Sequence, residues 1–222
     1  MQTFRIANLK IMSVGESADR ICYVLSPLEG LDEWIEQAAQ EFGVSIAVIT
    51  GMDWDDDLTP WPAPGQPPGC PDFRGRAAGF LKILVTEVLP ETERRLNIDA
   101  KAERTLTGVS LSGLFTLWQW MVNDTFCNII SLSGSFWYDG FVGWLKAQPL
   151  PEKHGKAYFL LGNQEAKTNV QAFRSVQADT VEIADYLRIH GIDVDFELVP
   201  GNHYQYAIQR LNRAFALMFT RP

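Results

Sequence analysis

The chain is poor in the residues that staple a fold, ligate metals or grip phosphate. It has three cysteines, Cys22, Cys70 and Cys127, an odd number without metal-ligand spacing. Neither a disulfide framework nor a zinc site is indicated. Cys22 and Cys127 sit in apolar runs and read as small core residues, the usual place of a free thiol. Basic residues are outnumbered, 19 Lys and Arg against 27 Asp and Glu, for a net charge of -8. With no clustered Lys and Arg stripe, nucleic acid and anionic membrane surfaces are disfavoured as partners. Long apolar runs are missing too, so no segment reads as a bilayer span. The opening residues MQTFRIANLKIMSVGE lack an apolar stretch ending in a small-residue cleavage site, and a cytoplasmic location is the expectation. Histidine is as scarce as cysteine, which confines the search for a general base to His154, His190 and His203.

What is present is an ordinary globular balance, 46% hydrophobic and 21% charged, which argues against disorder. At 222 residues the chain fits one domain, 1–222, with a sizeable core. Short β-branched runs alternate with longer amphipathic stretches, the pattern of a mostly parallel sheet covered by helices on both faces. Strands are expected at Ile21–Leu25, Val44–Thr50, Arg104–Val109, Cys127–Leu132, Lys156–Leu161 and Val194–Val199, with short edge strands around Thr3–Val14. Helices are expected at Leu31–Phe42, Gly79–Leu96, Leu111–Val122, Asn169–His190 and about Tyr204–Phe219. In the fourth, Val170, Phe173, Val176, Val181, Ala184 and Leu187 are expected on one face, with Gly191 as the stop. The strand Asp193–Glu197 alternates acidic and apolar residues, as near a sheet edge. One segment breaks the alternation: Asp53–Arg76 carries six prolines, several glycines and Trp54 and Trp61, and cannot be a regular helix or a central strand. A loop of this length (53–76) in a compact domain is commonly a functional lid or a mobile segment.

The chemistry concentrates where the strand Arg104–Val109 runs into Gly108-Val109-Ser110-Leu111-Ser112-Gly113 and then an apolar helix. A turn this tight needs small flanking residues and holds its central Ser in a strained conformation with the hydroxyl above the sheet. Ser110 is therefore the candidate nucleophile. The Leu111 N–H, at the helix N-terminus, points where an oxyanion would form. Ser112 stands where a second glycine is usual, and Gly113 follows it.

A serine hydroxyl needs a base with a pKa near the working pH. His190 ends a helix before its stopping glycine, and His154 sits in a turn. His203 follows the last strand, which places it at the same carboxyl edge of the sheet as Ser110. With a nucleophile elbow the chain order is Ser, acid, His, so the acid should follow the strand before His203. Glu165, in Gly162-Asn163-Gln164-Glu165, fits. Asp139 follows an earlier strand, Asp185 lies within a helix, and Asp193 and Asp195 lie at or in a strand.

With these residues in place the chain resembles the putative-esterase family of α/β-hydrolases, relatives of enterobactin-type siderophore esterases and of esterase D. The resemblance is carried by Asp57-Leu58-Thr59-Pro60, Gly108 to Phe115, Ser133-Gly134-Ser135-Phe136-Trp137, Gly162 with Glu165, and Gly201-Asn202-His203. It implies an α/β-hydrolase fold and a serine esterase acting on a small-molecule ester, with no metal or organic cofactor. It further implies the Leu28 N–H as second oxyanion donor, since Pro27 has no N–H to give. Relatives often carry an Arg before the Asp-Leu-Thr-Pro run, where this chain has Trp54-Asp55-Asp56-Asp57; if that Arg holds anionic substrates, neutral or cationic ones are expected here. Trp54, Trp61, Phe136, Trp137 and Tyr204 are candidates to line a substrate pocket, or else they pack the proline-rich loop onto the body. A peptidase, an acyltransferase and a non-catalytic binding module stay open as alternatives, as does a homo-oligomer.

Overall fold

The computed structural model describes residues 1–27, 30–150 and 155–220. In chain order the strands and helices are β1 (Gln2–Ile6), β2 (Leu9–Val14), β3 (Arg20–Leu25), α1 (Asp32–Phe42), β4 (Ser45–Thr50), β5 (Pro62–Ala63), β6 (Phe73–Arg74) and α2 (Ala77–Ile83). A π-helical turn (Leu84–Val88) then leads into α3 (Leu89–Leu96), β7 (Glu103–Val109), α4 (Leu111–Val122), β8 (Asn128–Leu132), α5 (Phe141–Ala147) and β9 (Lys156–Gly162). A 3₁₀ turn (Ala172–Ser175), α6 (Val176–Ile189), β10 (Asp193–Val199) and α7 (Ala207–Phe219) complete the chain. Among the described residues eight strands form one sheet in the order β1-β2-β4-β3-β7-β8-β9-β10. It is parallel from β4 to β10, with β1 and β2 added antiparallel at one edge.

The expected strands recur to within a residue or so because their β-branched, apolar runs are buried on both faces; every residue of β4, Ser45–Thr50, is buried. β10 is the far edge strand, and its exposed and half-buried positions agree with its acid-apolar alternation. On one face α1 and α7 pack a core around Trp34, Ile35, Phe42, Leu211 and Phe215. In α1 the buried positions Trp34, Ile35, Ala38, Ala39 and Phe42 recur at helical spacing, and Gly43, at φ +58, closes the helix. Burying a side chain such as Phe215, fully enclosed here, contributes about 1.5–3 kcal/mol. The opposite face is covered by α2, α4 and α6, with Phe80, Leu114, Phe115, Ile183 and Leu187 at its centre.

Several details differ from the sequence expectation. The helix expected at Gly79–Leu96 starts at Ala77 and widens into a π turn just before Pro90, whose missing N–H and bulky ring cannot join a regular ladder. The helix expected from Asn169 begins as a 3₁₀ turn, and α6 proper starts at Val176. Its buried face is Val176, Thr180, Ile183, Ala184 and Leu187, whereas Val181, about 140° round from Val176 at 3.6 residues per turn, is exposed. The short helix α5 and the two-residue ribbon β5-β6 were not expected, and α7 begins at Ala207 rather than Tyr204. Of the cysteines, Cys22 is fully buried, and burial pushes its thiol up to about 12; Cys127 is half-buried and Cys70 exposed.

The proline-rich loop is braced by hydrogen bonds within itself and fastened to the body by the Tyr138 hydroxyl, which donates to the Trp61 carbonyl, and by the Phe73 ring, 5.3 Å from that of Tyr138. Arg76 N–H donates to the Asp56 carbonyl (2.8 Å) and Arg74 N–H to the Asp56 carboxylate (3.1 Å), while Leu58, Thr59 and Phe73 are buried. Among the described residues no helix is long and apolar enough to cross a membrane.

Candidate active site

Parallel registration sets the site. Val109 lies opposite Leu132, Leu132 opposite Leu160, and Gly162 opposite Val199, so β7, β8, β9 and β10 end along one line. The residues just beyond those ends are Ser110, Ser133, Glu165 and His203. Cross-links hold them together: Ser110 N–H donates to Leu132 O (3.0 Å), Ser133 N–H to Leu160 O (2.7 Å) and Asn163 N–H to Val199 O (2.7 Å).

Ser110 is held at φ +58, ψ -122, a conformation that costs a non-glycine residue on the order of 1–3 kcal/mol and persists only where the surroundings enforce it. They do so here. A Cβ at Gly108 would fall 2.2 Å from Ser112 O, and one at Gly113 would fall 2.7 Å from Ser131 Oγ and 2.9 Å from Gly134 Cα. Ser112 is tolerated in place of glycine because its hydroxyl has work in the turn. It accepts from Val109 N–H (2.7 Å) and lies within donating distance of Leu25 O (2.9 Å) and Val109 O (2.8 Å). Leu111 opens α4, so its N–H belongs to the first helical turn, where amides have no partner within the helix.

His203 Nε2 lies 3.1 Å from Ser110 Oγ, and His203 Nδ1 lies 2.8 Å from Glu165 Oε2. Glu165 is almost wholly enclosed, its side chain 2% exposed against 32% for His203. Its other oxygen, Oε1, accepts from Ser133 Oγ (2.7 Å), Gly162 N–H (2.7 Å) and Arg210 Nη1 (3.0 Å). Burial alone would push this carboxyl up, but hydrogen bonds from His203 and Ser133, the charge of His203 and the Gly162 amide bring it below the usual glutamate value. An imidazole so placed between a hydroxyl and a fixed carboxylate can take the hydroxyl proton without losing its orientation. His190 plays the structural part expected of it, its Nδ1 2.7 Å from the Tyr186 carbonyl, and His154 lies outside the described residues.

Two spaces open on Ser110. One is a cavity of about 270 Å³ with mainly apolar walls; the other is a mixed-polarity cleft of about 520 Å³. Trp54 and Tyr204 border both, and Trp137 lines the cleft with its ring 4.4 Å from that of Phe173. Trp61 and Phe136 do not line either space. Phe136 is 1% exposed and stacks on Phe141, while Trp61 packs on Tyr138, Phe141 and Trp144 and donates its indole N–H to Asp139 O (2.9 Å). Leu28 lies outside the described residues. Among the described residues no three His, Cys, Asp or Glu side chains assemble as a metal-binding group.

Three residues of the site carried no role in the sequence reading. Ser133, at φ +50, donates to Glu165, and Ser135 sends its N–H to Ser110 O (3.0 Å) with its hydroxyl 3.4 Å from Ser110 Oγ. Both follow β8, the spatial neighbour of β7, which is the signal that marks them. Arg210 sits in the apolar stripe of α7 beside Leu211 and Ala214, where a charge must have a buried partner.

Comparison with known proteins bears on the family and the fold. The family model described as putative esterase matches residues 25–218. The Bacillus subtilis protein YbbA is 23% identical over 197 residues, covering 84% of this chain and 79% of that one. The structure is similar to an IroE-like serine hydrolase from Shewanella oneidensis, with a TM-score of 0.79 at 17% identity over 96% of this chain and 76% of that one. It is similar also to the siderophore hydrolase EstB from Aspergillus nidulans, with a TM-score of 0.75 at 19% identity over 100% of this chain and 96% of that one. The chain belongs to the putative esterase family and is a carboxylic ester hydrolase built on the α/β-hydrolase fold.

Proposed function

We propose that Ser110, His203 and Glu165 act as a catalytic triad that hydrolyses small-molecule esters through an acyl-enzyme. The observation that carries this reading is the unbroken hydrogen-bond chain from Ser110 Oγ through both imidazole nitrogens to Glu165. Ser110 Oγ bonds to the ester carbonyl carbon as His203 takes its proton, and the Leu111 N–H stabilises the oxyanion. The alcohol leaves with the proton from His203. Water then adds to the acyl carbon as His203 takes one of its protons, and His203 passes that proton to Ser110 Oγ as the bond from Oγ to the acyl carbon breaks, releasing the carboxylic acid. Glu165 keeps the imidazole oriented and offsets its charge without taking the proton.

The cleft around Ser110 carries Asp55 and Lys167 beside the Glu165 and His203 pair, with no surplus of positive charge. That favours neutral esters over multiply anionic ones. A binding module would have no use for the strained Ser110 backbone, which supports catalysis over passive recognition.

The test is labelling with a fluorophosphonate followed by peptide mapping on wild type, Ser110→Ala and His203→Ala. Adduct on Ser110 in wild type alone is the expected result, with hydrolysis of a short-chain ester down on the order of 10⁴- to 10⁶-fold in either variant. Near-normal hydrolysis by Ser110→Ala would overturn the assignment.

A further inference from the structure

The cavity of about 270 Å³ lies against Ser110 on the sheet face covered by α7. Its walls include Val24, Leu25, Val109, Leu132, Ala207 and Leu211. Most polar groups among its walls are already engaged, the buried Arg210 Nε being left without a partner among the described residues. Thr107 Oγ1 lies 3.2 Å from Cys22 Sγ, and Ser133 donates to Glu165. Arg210 directs Nη1 to Ser133 and Glu165 and Nη2 to the Asn202 carbonyl (2.9 Å). A polar substituent entering here would give up its water for few free partners, whereas an aliphatic one loses nothing.

We propose that this cavity is the acyl pocket and takes the aliphatic chain of the ester's carboxylic acid. The inference rests on the acyl-enzyme reading of Ser110. At about 30 Å³ per water-sized volume the space holds roughly nine such volumes, room for an acyl chain of about four to eight carbons. The assignment of acyl rather than alcohol follows from the order of events. The acyl group stays attached to Ser110 Oγ through both half-reactions, so a compact apolar site can hold it throughout. The alcohol must leave and water must enter by the same side, which suits the wider cleft with Gln164, Lys167, Thr168 and Asn202 on its walls. His203 borders both spaces, as it must to protonate the departing alcohol on one side while the acyl chain rests on the other.

The experiment compares two ester series on the intact protein, p-nitrophenyl esters from acetate to laurate and acetate esters of alcohols of two to eight carbons. kcat/KM should rise about three- to fourfold for each methylene added to the acyl chain, stop rising between butyrate and octanoate, and fall beyond. The alkyl acetate series should change little. In Leu211→Phe, and in Ala207→Trp at the exposed start of α7, the optimum should move to a chain shorter by two carbons or more. A flat acyl series, a steep alkyl acetate series, or an optimum unmoved in both variants overturns the pocket assignment. Fluorophosphonate labelling of the same preparations separates the two levels. Labelled Ser110 with a flat acyl series sinks the pocket alone, whereas an unlabelled Ser110 sinks the triad reading and the pocket with it.

Discussion

Arg210 Nη1 lies 3.0 Å from Glu165 Oε1, the carboxylate oxygen turned away from His203. The same guanidinium sends Nη2 to the carbonyl of Asn202, the residue before His203. One buried side chain on α7 therefore ties the acid of the site to the loop that carries its base. Both charged groups are nearly fully enclosed, at 5% and 2% exposure.

Removing that charge should be costly. Arg210→Met leaves Glu165 buried without its cation and is expected to lower stability by about 3–5 kcal/mol, the usual result of breaking a buried pair. Arg210→Lys should recover part of this, because one ammonium group cannot reproduce the planar fork reaching both Glu165 and Asn202. Urea denaturation measures the first effect. Steady-state kinetics on a short-chain ester should show kcat falling more than KM rises in the Lys variant, since the residue orients the triad without meeting substrate. Equal stability of Arg210→Met and wild type would contradict this account.

Glu165 gives the stability a definite pH dependence. Its folded value lies below the ordinary one, so its ionised form contributes stability that is complete above the unfolded value, about 4.3, and is lost as pH falls through the folded value. The stability gap between wild type and Glu165→Gln should therefore narrow as pH falls below about 4. Denaturation curves at a series of pH values check the sign; a gap that widens as pH falls below about 4 would show that the carboxyl is not depressed.

Ser112 should matter for the turn although it lies outside the hydrogen-bonded chain of the site. Ser112→Ala removes the acceptor of the half-buried Val109 N–H and a donor to the buried Leu25 O. A loss of about 1–3 kcal/mol is expected, because the Leu25 carbonyl loses a donor in buried surroundings and the Val109 amide loses its acceptor. For a chain of this size that is a fall in Tm of roughly 2–12 °C. Ser112→Gly, which restores the commoner spacing of small residues, should be no better, since it lacks the hydroxyl as well. Differential scanning calorimetry decides, and a Gly variant more stable than wild type would count against the role assigned to the hydroxyl.

The parts of this protein that could be read from sequence are those fixed by neighbours in the chain. β-branched runs such as Ile46 to Ile49 mark central strands, and the sequence around Gly108 and Ser110 marks a turn that only small residues permit. Edge position also followed from local alternation in Asp193–Glu197. The parts that escaped depend on partners far away. Arg210 looks like any helical arginine until Glu165, 45 positions earlier, is brought beneath it. The π turn before Pro90 and the register of α6 depend on how the helices settle on the sheet, and Val181 was misassigned because period alone did not fix which residue begins the helix. Ser133 and Ser135 became site residues only because β8 lies next to β7 in the sheet.

The tryptophans show the same limit and provide the sharpest contrast to test. Trp54 and Trp61 sit seven positions apart in one loop, yet Trp54 borders both spaces on Ser110 while Trp61 packs on the ring cluster of Tyr138, Phe141 and Trp144. Trp54→Ala should raise KM for esters with bulky groups and leave stability within about 1 kcal/mol, because a partly exposed side chain at a cleft loses little packing. Trp61→Ala should do the reverse, lowering stability by about 2–4 kcal/mol through lost ring contacts and the lost bond to Asp139 O, with kcat for a short-chain ester close to wild type. Thermal unfolding and steady-state kinetics on the two variants separate the roles. If Trp61→Ala raised KM as much as Trp54→Ala at unchanged stability, the loop would contact substrate through both rings and the packing assignment of Trp61 would fail.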